Sequence, residues 1–460
     1  TNITQTMTGV FIVLLFGWSL GDVSFPRRQF HHRGTHPAYL QKFGSPPFVP
    51  GVAPPPYVIN VLDFGAKGDG MTDNTPFFVA AIKAASNNGG GSVYVPEGQF
   101  LFAGHFTVPS GVTLKGSFTV VPSHSHVRGW NLTDGSILIP TEGRGDENAS
   151  PFITVEENGV FSNMVIFHQK QEETTYPVAY PWSLMLTGNN AAVVDVELLN
   201  SWNGINATGA HRHYIARVQG QPLNIGLLVD ATYDIGRVED VHFNPWFSDS
   251  PAFMAHQLTH GRAFVFGRSD WEYVFNTFAF GYAVGYHFIQ TETGNMNGNF
   301  LGIGADLSIN ASVLVDASQA PGILITNGEF TAFSSPSWIN TTQESTQVVV
   351  GPANTGPVKF VDSSFWGPSS QIALLYGHSS TTFSSCQFVQ WDLQKKDGRA
   401  AIRAFAGVVN LQGNEFGDAK KQVELGQGVE KAIIVGNLFN GKQDISIASD
   451  TTNTQIGYNA

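Results

Sequence analysis

The chain has 460 residues with 50 glycines, 35 phenylalanines, 13% charged side chains and a formal charge of -12. That composition favours turns and stacked apolar β faces over exposed amphipathic helices. No basic run is present, so nucleic acid and anionic membrane surfaces are not expected partners, since both need a Lys/Arg patch; an acidic polymer would need a local Arg/Lys cluster or a bound cation.

In chain order, the first feature is the apolar run Val10–Trp18 (VFIVLLFGW) close behind Met7. It is too short to span a bilayer and suits a signal-peptide core, although the usual preceding basic residue is missing. Residues 1–24 are therefore expected to be a signal peptide with upstream residues, cut near Gly21 to Ser24, and the product to be secreted and extracellular. Residues 25–56 form a Pro/His-rich leader or linker without apolar periodicity. Its His31, His32 and His36 suit a solvated tail better than a metal site, because a mobile segment fixes no geometry. Sequons at Asn131, Asn206, Asn310 and Asn340 fit a secreted glycoprotein; Asn148 is weaker because Pro151 follows it.

From Tyr57 the pattern changes. A strand (Tyr57–Val61) leads to a glycine-rich turn (Asp63–Gly70) and then to an alanine-rich helix over Thr72–Ser86, capped by Asp73 or Thr72 with Pro76 in its first turn. Asn87–Gly91 breaks the helix, and Ser92–Pro96 begins β structure. The strings VLDFGAKGDGMTDNTPFFVAAIKAA, GGGSVYVPEGQFLF and VPSGVTLKG resemble the N-terminal segment of the pectate-lyase-like superfamily, near its rhamnogalacturonase/epimerase-like and glycoside hydrolase family 28-related members. The resemblance implies an all-β fold: a single-stranded right-handed parallel β-helix over 57–460, with a capping α-helix in the section 57–120. An amphipathic helix over the open end would hide apolar strand edges from water.

Farther on, β-rich strings recur and end in Phe330, Phe365, Phe388, Phe416 and Phe439, at intervals of 35, 23, 28 and 23 residues. Such intervals suit coils of roughly 20 to 30 residues that place one inward aromatic over the last. Asn327, Asn414 and Asn437 fall at the turns, where Asn tolerates left-handed geometry and can form ladders. A β-sandwich is the alternative, with Asn203-Gly204 as a hairpin signal.

Only outward side chains and loops of such a fold can meet a polymer. The unusual central segment His242–Glu292 offers a loop (Ser248–His260) and a mixture of aromatics and charges suited to a sugar groove: Trp246, Trp271, Tyr273, Arg268 and His242 as substrate contacts. Asp270 and Glu272 are the leading acid/base pair, because i and i+2 on a strand share a face about 6 to 7 Å apart; Asp249 or Asp240 could replace either. The Asn-Thr-Asp, Asp-Asp, Gly-His-Gly and Arg-Ile-Lys motifs of characterised family 28 glycosidases are absent, as is the Asp-Pro-His of alginate epimerases, and GAHRHY (Gly209–Tyr214) is not the histidine motif. The expected function is a secreted glycosidase on an extracellular polysaccharide. A catalytically silent matrix or glycan-binding β-helix is the alternative. A calcium-dependent polysaccharide lyase is the second, drawing on Asp195, Glu197, Asp240 and Arg268; otherwise no cofactor or metal is expected. Cys386 is the lone cysteine and reads as a small buried residue.

Overall fold

The computed structural model of the protein describes residues 58–125, 132, 134–172, 175–333, 344–448 and 453–460. The expected signal segment and leader, and the sequons at Asn131 and Asn340, lie outside the described residues.

Strand after strand pairs in parallel with its counterpart one coil further on, and the coils stack as a right-handed parallel β-helix with three sheets. Inward side chains of the first sheet form one unbroken column, running from Ile59 through Val93 and Leu114 to Val274, Phe300, Ile325, Phe360 and on to Ile434. In the second sheet, the phenylalanines picked out by their recurrence do stack in register. Ring centroids are 5.2 Å apart for Phe330–Phe365, 5.5 Å for Phe365–Phe388, 4.9 Å for Phe388–Phe416 and 5.1 Å for Phe416–Phe439. The third sheet contributes Leu227, Phe264, Tyr286, Val313 and Val348. All three columns meet in a single core, and the parallel ladders exclude the sandwich.

The first and second sheets join through one left-handed residue per coil. Asn163, Asp195, Arg217, Asp240, Asn276, Gly302, Asn327 and Asp362 all have positive φ there. A short polar side chain or none makes that conformation cheap, which explains most of the series. Arg217 is the exception; its guanidinium is clamped by both oxygens of Asp195, each at 2.7 Å. Asn414 and Asn437 are not themselves left-handed. They are buried turn residues, and Asn414 donates to Asn437, which donates to Asn459 in turn, a ladder linking successive coils.

The first helix, α1 (Thr75–Asn87), starts three residues later than expected. Asp69–Asp73 is drawn into a strand against Gly98–Phe102, so neither Thr72 nor Asp73 is the N-cap, and that position falls to Asn74. Its buried face (Phe78, Ala81, Ile82, Ala85) packs on the first coils, with Phe78 4.8 Å from Phe102 and 5.6 Å from Phe100. A second helix, α2 (Pro251–His260), replaces the loop expected there; Ser250 caps it and Pro251 opens it, the usual helix-start signals. Among the described residues no helix is long and apolar enough to cross a membrane.

Candidate functional site

The coil that runs from Trp271 to Phe280 carries aromatics on its outer side around the corner between the first and second sheets. On the first sheet Tyr273 and Phe275 point outward while Val274 points in. After left-handed Asn276 the chain enters the second sheet, where Phe278 and Phe280 flank inward Ala279. Trp271, Tyr273 and Phe275 are 58%, 41% and 49% exposed. Trp271 sits at φ 60°, unusual for a bulky residue, and its N–H donates to Asn297 Oδ1 at 3.2 Å.

The next coil is lower. Asn299 lies beside Tyr273, Leu301 beside Phe275, Gly304 beside Phe278 and Asp306 beside Phe280. Glycine at 302 and 304 removes side chains between Leu301 and Asp306, and the space above Gly302 is open to 4 Å. A far wall follows from the two coils beyond: Leu324 and Lys359 on the first sheet, and Glu329 with Trp366 on the second. The result is a groove that follows one coil around the corner. Its first-sheet end is a depression of ≈ 280 Å³ lined by Trp271, Tyr273, Asn299, Leu324 and Lys359 among others. One coil before the aromatic wall, His242 packs on Phe278 at 5.1 Å and on Trp246 at 5.2 Å, extending the aromatic surface; burial lowers the His242 pKa and keeps it neutral near pH 7.

The expected acid/base pair does not form. Left-handed Trp271 breaks the alternation, the strand begins only at Glu272, and Asp270 lies in the preceding turn. Glu272 faces inward and is 0% exposed, held by Ser269 Oγ at 2.6 Å and His213 Nε2 at 3.0 Å. No polymer on the outside can reach it. Asp270 is occupied by Arg268 at 2.9 Å and by Gln319 at 2.7 Å, a pairing that ties together neighbouring turns. Arg268 itself lies over the Tyr233 ring, 5.4 Å from its centroid. Asp249 is exposed on the insertion that leads into α2, away from the first-sheet strand that holds Tyr273. Of the expected substrate contacts, the structure therefore brings Trp271 and Tyr273 into one groove, with His242 and Trp246 as a continuation of its wall.

Other carboxylates of the same region are engaged. Glu239 accepts from the Tyr214 hydroxyl at 3.0 Å, Asp240 from Asn276 at 2.5 Å, and Glu197 is buried in a pair with His124. Burial raises the Glu197 pKa, against the opposing pull of His124. Asp306 differs: its Oδ1 is buried with no hydrogen-bond partner among the described residues, and burial pushes its pKa up to about 6. Among the described residues no three His, Cys, Asp or Glu side chains converge as a metal site. The sequon residue Asn206 is only 7% exposed in the third sheet between Met185 and Leu228, and its Oδ1 accepts the Thr208 N–H at 2.8 Å. A glycan on Asn206 would have to displace those neighbours. Asn310 lies in the turn before the strand Ala311–Val315.

Sequence reasoning missed Phe275, Phe278, Leu301, Asp306, Glu329, Lys359 and Trp366. A signal for one of them existed: each recurrent phenylalanine points inward, so the residue before Phe330, Glu329, must point out.

Residues 58–268 match the family model described as rhamnogalacturonase A/epimerase, pectate lyase-like. A 45-residue stretch is 58% identical to alginate lyase 7 of Azotobacter vinelandii, a match over 10% of this chain and 5% of that protein. The chain thus spans only a small fraction of the curated relatives it matches. Two solved structures share the fold at low identity. DFA-IIIase of Arthrobacter chlorophenolicus A6, solved with DFA-III, superposes with TM-score 0.55 at 13% identity over 87% of this chain and 98% of that one. The pre-mature gene product 12 of bacteriophage phi29 gives 0.60 at 13% identity over 86% and 55%. With the coil architecture above, the match over 58–268 supports a place for the chain in the pectate-lyase-like superfamily of right-handed parallel β-helix proteins.

Proposed function

We propose that the protein is a secreted, carbohydrate-active protein, a glycosidase, whose polysaccharide lies in the groove along coil 298–306. One observation carries this reading: exposed Trp271, Tyr273 and Phe275 rise on the first sheet, with Asn299 beside Tyr273 and Lys359 beyond, and Phe278 and Phe280 continue them on the second sheet beside Gly304 and Asp306, with Glu329 beyond. Apolar C–H faces of sugar rings stack on such aromatics, and their hydroxyls need amide, carboxylate and ammonium partners. The alginate lyase with the 45-residue match acts, by its name, on a polysaccharide, which supports the same partner class.

Binding to a panel of laminarin, xylan, galactan, polygalacturonate and alginate oligosaccharides, measured by calorimetry, tests the reading. At least one should bind, and Trp271→Ala should weaken it about tenfold, the loss of one stacking contact of about 1.4 kcal/mol. Wild-type affinity in Trp271→Ala, or no binding to any glycan, would remove the groove assignment. The matrix-component reading is favoured by a specific observation: Glu239 on the first sheet, Asp240 at its corner and Asp270 in the turn before it are all engaged by neighbours. Glycan binding without any product by mass spectrometry would support it. The calcium-dependent lyase has no convergent ligand set among the described residues to recommend it.

A further inference from the structure

We propose that Asp306 and Glu329, at the second-sheet end of the groove, are a catalytic acid and base for hydrolysis of a glycosidic bond. This rests on the carbohydrate-active reading but not on its first-sheet contacts.

Three features of the geometry set the pair apart from surface carboxylates. Asp306 and Glu329 project from the outer side of neighbouring coils: Glu329 lies beside Gly304, and Asp306 is two residues further along that strand. The register shifts between Ala305 and Ser308, at Asp306 itself, and on the regular strand that precedes the shift diagonal neighbours of this kind are separated by about 8 Å, from about 4.8 Å between strands and about 6.6 Å along one. That is the range expected when a water must fit between a general acid and a general base. Gly304 presents no side chain of its own beside Glu329, and the Phe278 ring lies over it instead, where a Cβ at 304 would come within 2.8 Å, so the surface between the two carboxyls is aromatic. Finally, the two groups are held differently. The Trp366 indole N–H donates to Glu329 Oε1 at 3.2 Å. Asp306 sits between Phe280 and the coil of Thr331, with Oδ1 buried and unpartnered.

The electrostatics agree with that division. Burial is the main cause that moves Asp306 up to about 6; the Leu307 N–H opposes it and the charge of Glu329 adds to it. A carboxylic acid that keeps its proton up to about pH 6 beside a second carboxyl group is the division of labour that glycoside hydrolysis requires. Asp306 gives its proton to the glycosidic oxygen as the bond from the anomeric carbon to that oxygen breaks, and the bonding pair stays on the leaving oxygen. Glu329 takes a proton from water as the water oxygen bonds to the anomeric carbon. One water is consumed; Asp306 ends as carboxylate and Glu329 as acid, and exchange of one proton with solvent restores both. Phe278, Phe280 and Trp366 supply surfaces for the flanking rings.

The experiment measures reducing ends released from laminarin, xylan, galactan, polygalacturonate and alginate by the full chain, together with glycan binding by calorimetry. Wild type should release product from at least one polymer. Asp306→Asn and Glu329→Gln should each lower release by about 10²- to 10⁴-fold, a loss that persists at saturating glycan. Glu329 is exposed, so its variant folds even if the buried Asp306 site does not tolerate change. In the residual activity of Glu329→Gln the Asp306-dependent limb of the pH profile should move to lower pH, because a repelling charge is gone. Release within threefold of wild type in either variant overturns the pair. Binding without release by wild type overturns it too, but leaves the glycan reading standing; absence of both binding and release removes the two together.

Discussion

Replacing Glu272 with alanine should cost stability rather than chemistry. Glu272, His213 and Ser269 are all 0% exposed, and the carboxylate serves His213 Nε2 at 3.0 Å and Ser269 Oγ at 2.6 Å. His213 Nδ1 meanwhile donates to the Ala210 carbonyl at 2.8 Å, so both ring nitrogens face acceptors. Truncation strands a buried imidazole and a buried hydroxyl, and breaking one side of such a pair costs about 3–5 kcal/mol. Glu272→Gln keeps the volume and one acceptor and should lose less, about 1–3 kcal/mol. Urea unfolding followed by circular dichroism reads both. The pH dependence adds a sign. Burial alone pulls the His213 pKa down, but the Glu272 charge and hydrogen bond push harder and leave it raised. A raised folded-state pKa contributes stability that is complete below the unfolded value of about 6.5 and is lost as pH rises through the folded one. In Glu272→Ala only burial and the weaker contacts remain, so the sign reverses and stability falls as pH drops below about 6.5. An alanine variant with the wild-type urea midpoint and no turnover would refute the structural role and restore Glu272 as a catalytic candidate.

Phe365→Ala should destabilise by about 3–5 kcal/mol, since its fully buried ring lies 5.2 Å from Phe330 and 5.5 Å from Phe388; a urea midpoint within error of wild type would contradict the stacked column. Cys386 is 1% exposed and burial pushes its thiol up to about 11, so at pH 8 it should react with a thiol reagent only as fast as the protein unfolds. Rapid labelling of the folded protein would place it elsewhere.

The fold was legible in the sequence because its signals are repetitive. One phenylalanine per coil, at Phe330, Phe365, Phe388, Phe416 and Phe439, announces both the coil length and the inward face, and the structure stacks all five. The site was legible only in part. Trp271 and Tyr273 are groove residues, but pairing Asp270 with Glu272 assumed unbroken strand alternation, and a single left-handed residue between them sends one into the core. Nothing local marks a tryptophan for that conformation; Asn297, one coil away in space and 26 residues away in sequence, secures it. The same holds for Asp306. Its setting comes from Phe280, Glu329 and Trp366 on three other coils, and one-dimensional spacing carries no such register. The insertion that became α2 did advertise itself, through Ser250 and Pro251 at its start.

The most direct measurement is a crystal structure with a bound oligosaccharide from the polymer that binds best. Sugar rings stacked on Tyr273 and Phe275, with the chain turning the corner so that a glycosidic oxygen lies within hydrogen-bond reach of Asp306, is the predicted result. A sugar seated on the third sheet, or across α2 with the coil 298–306 bare, would contradict it.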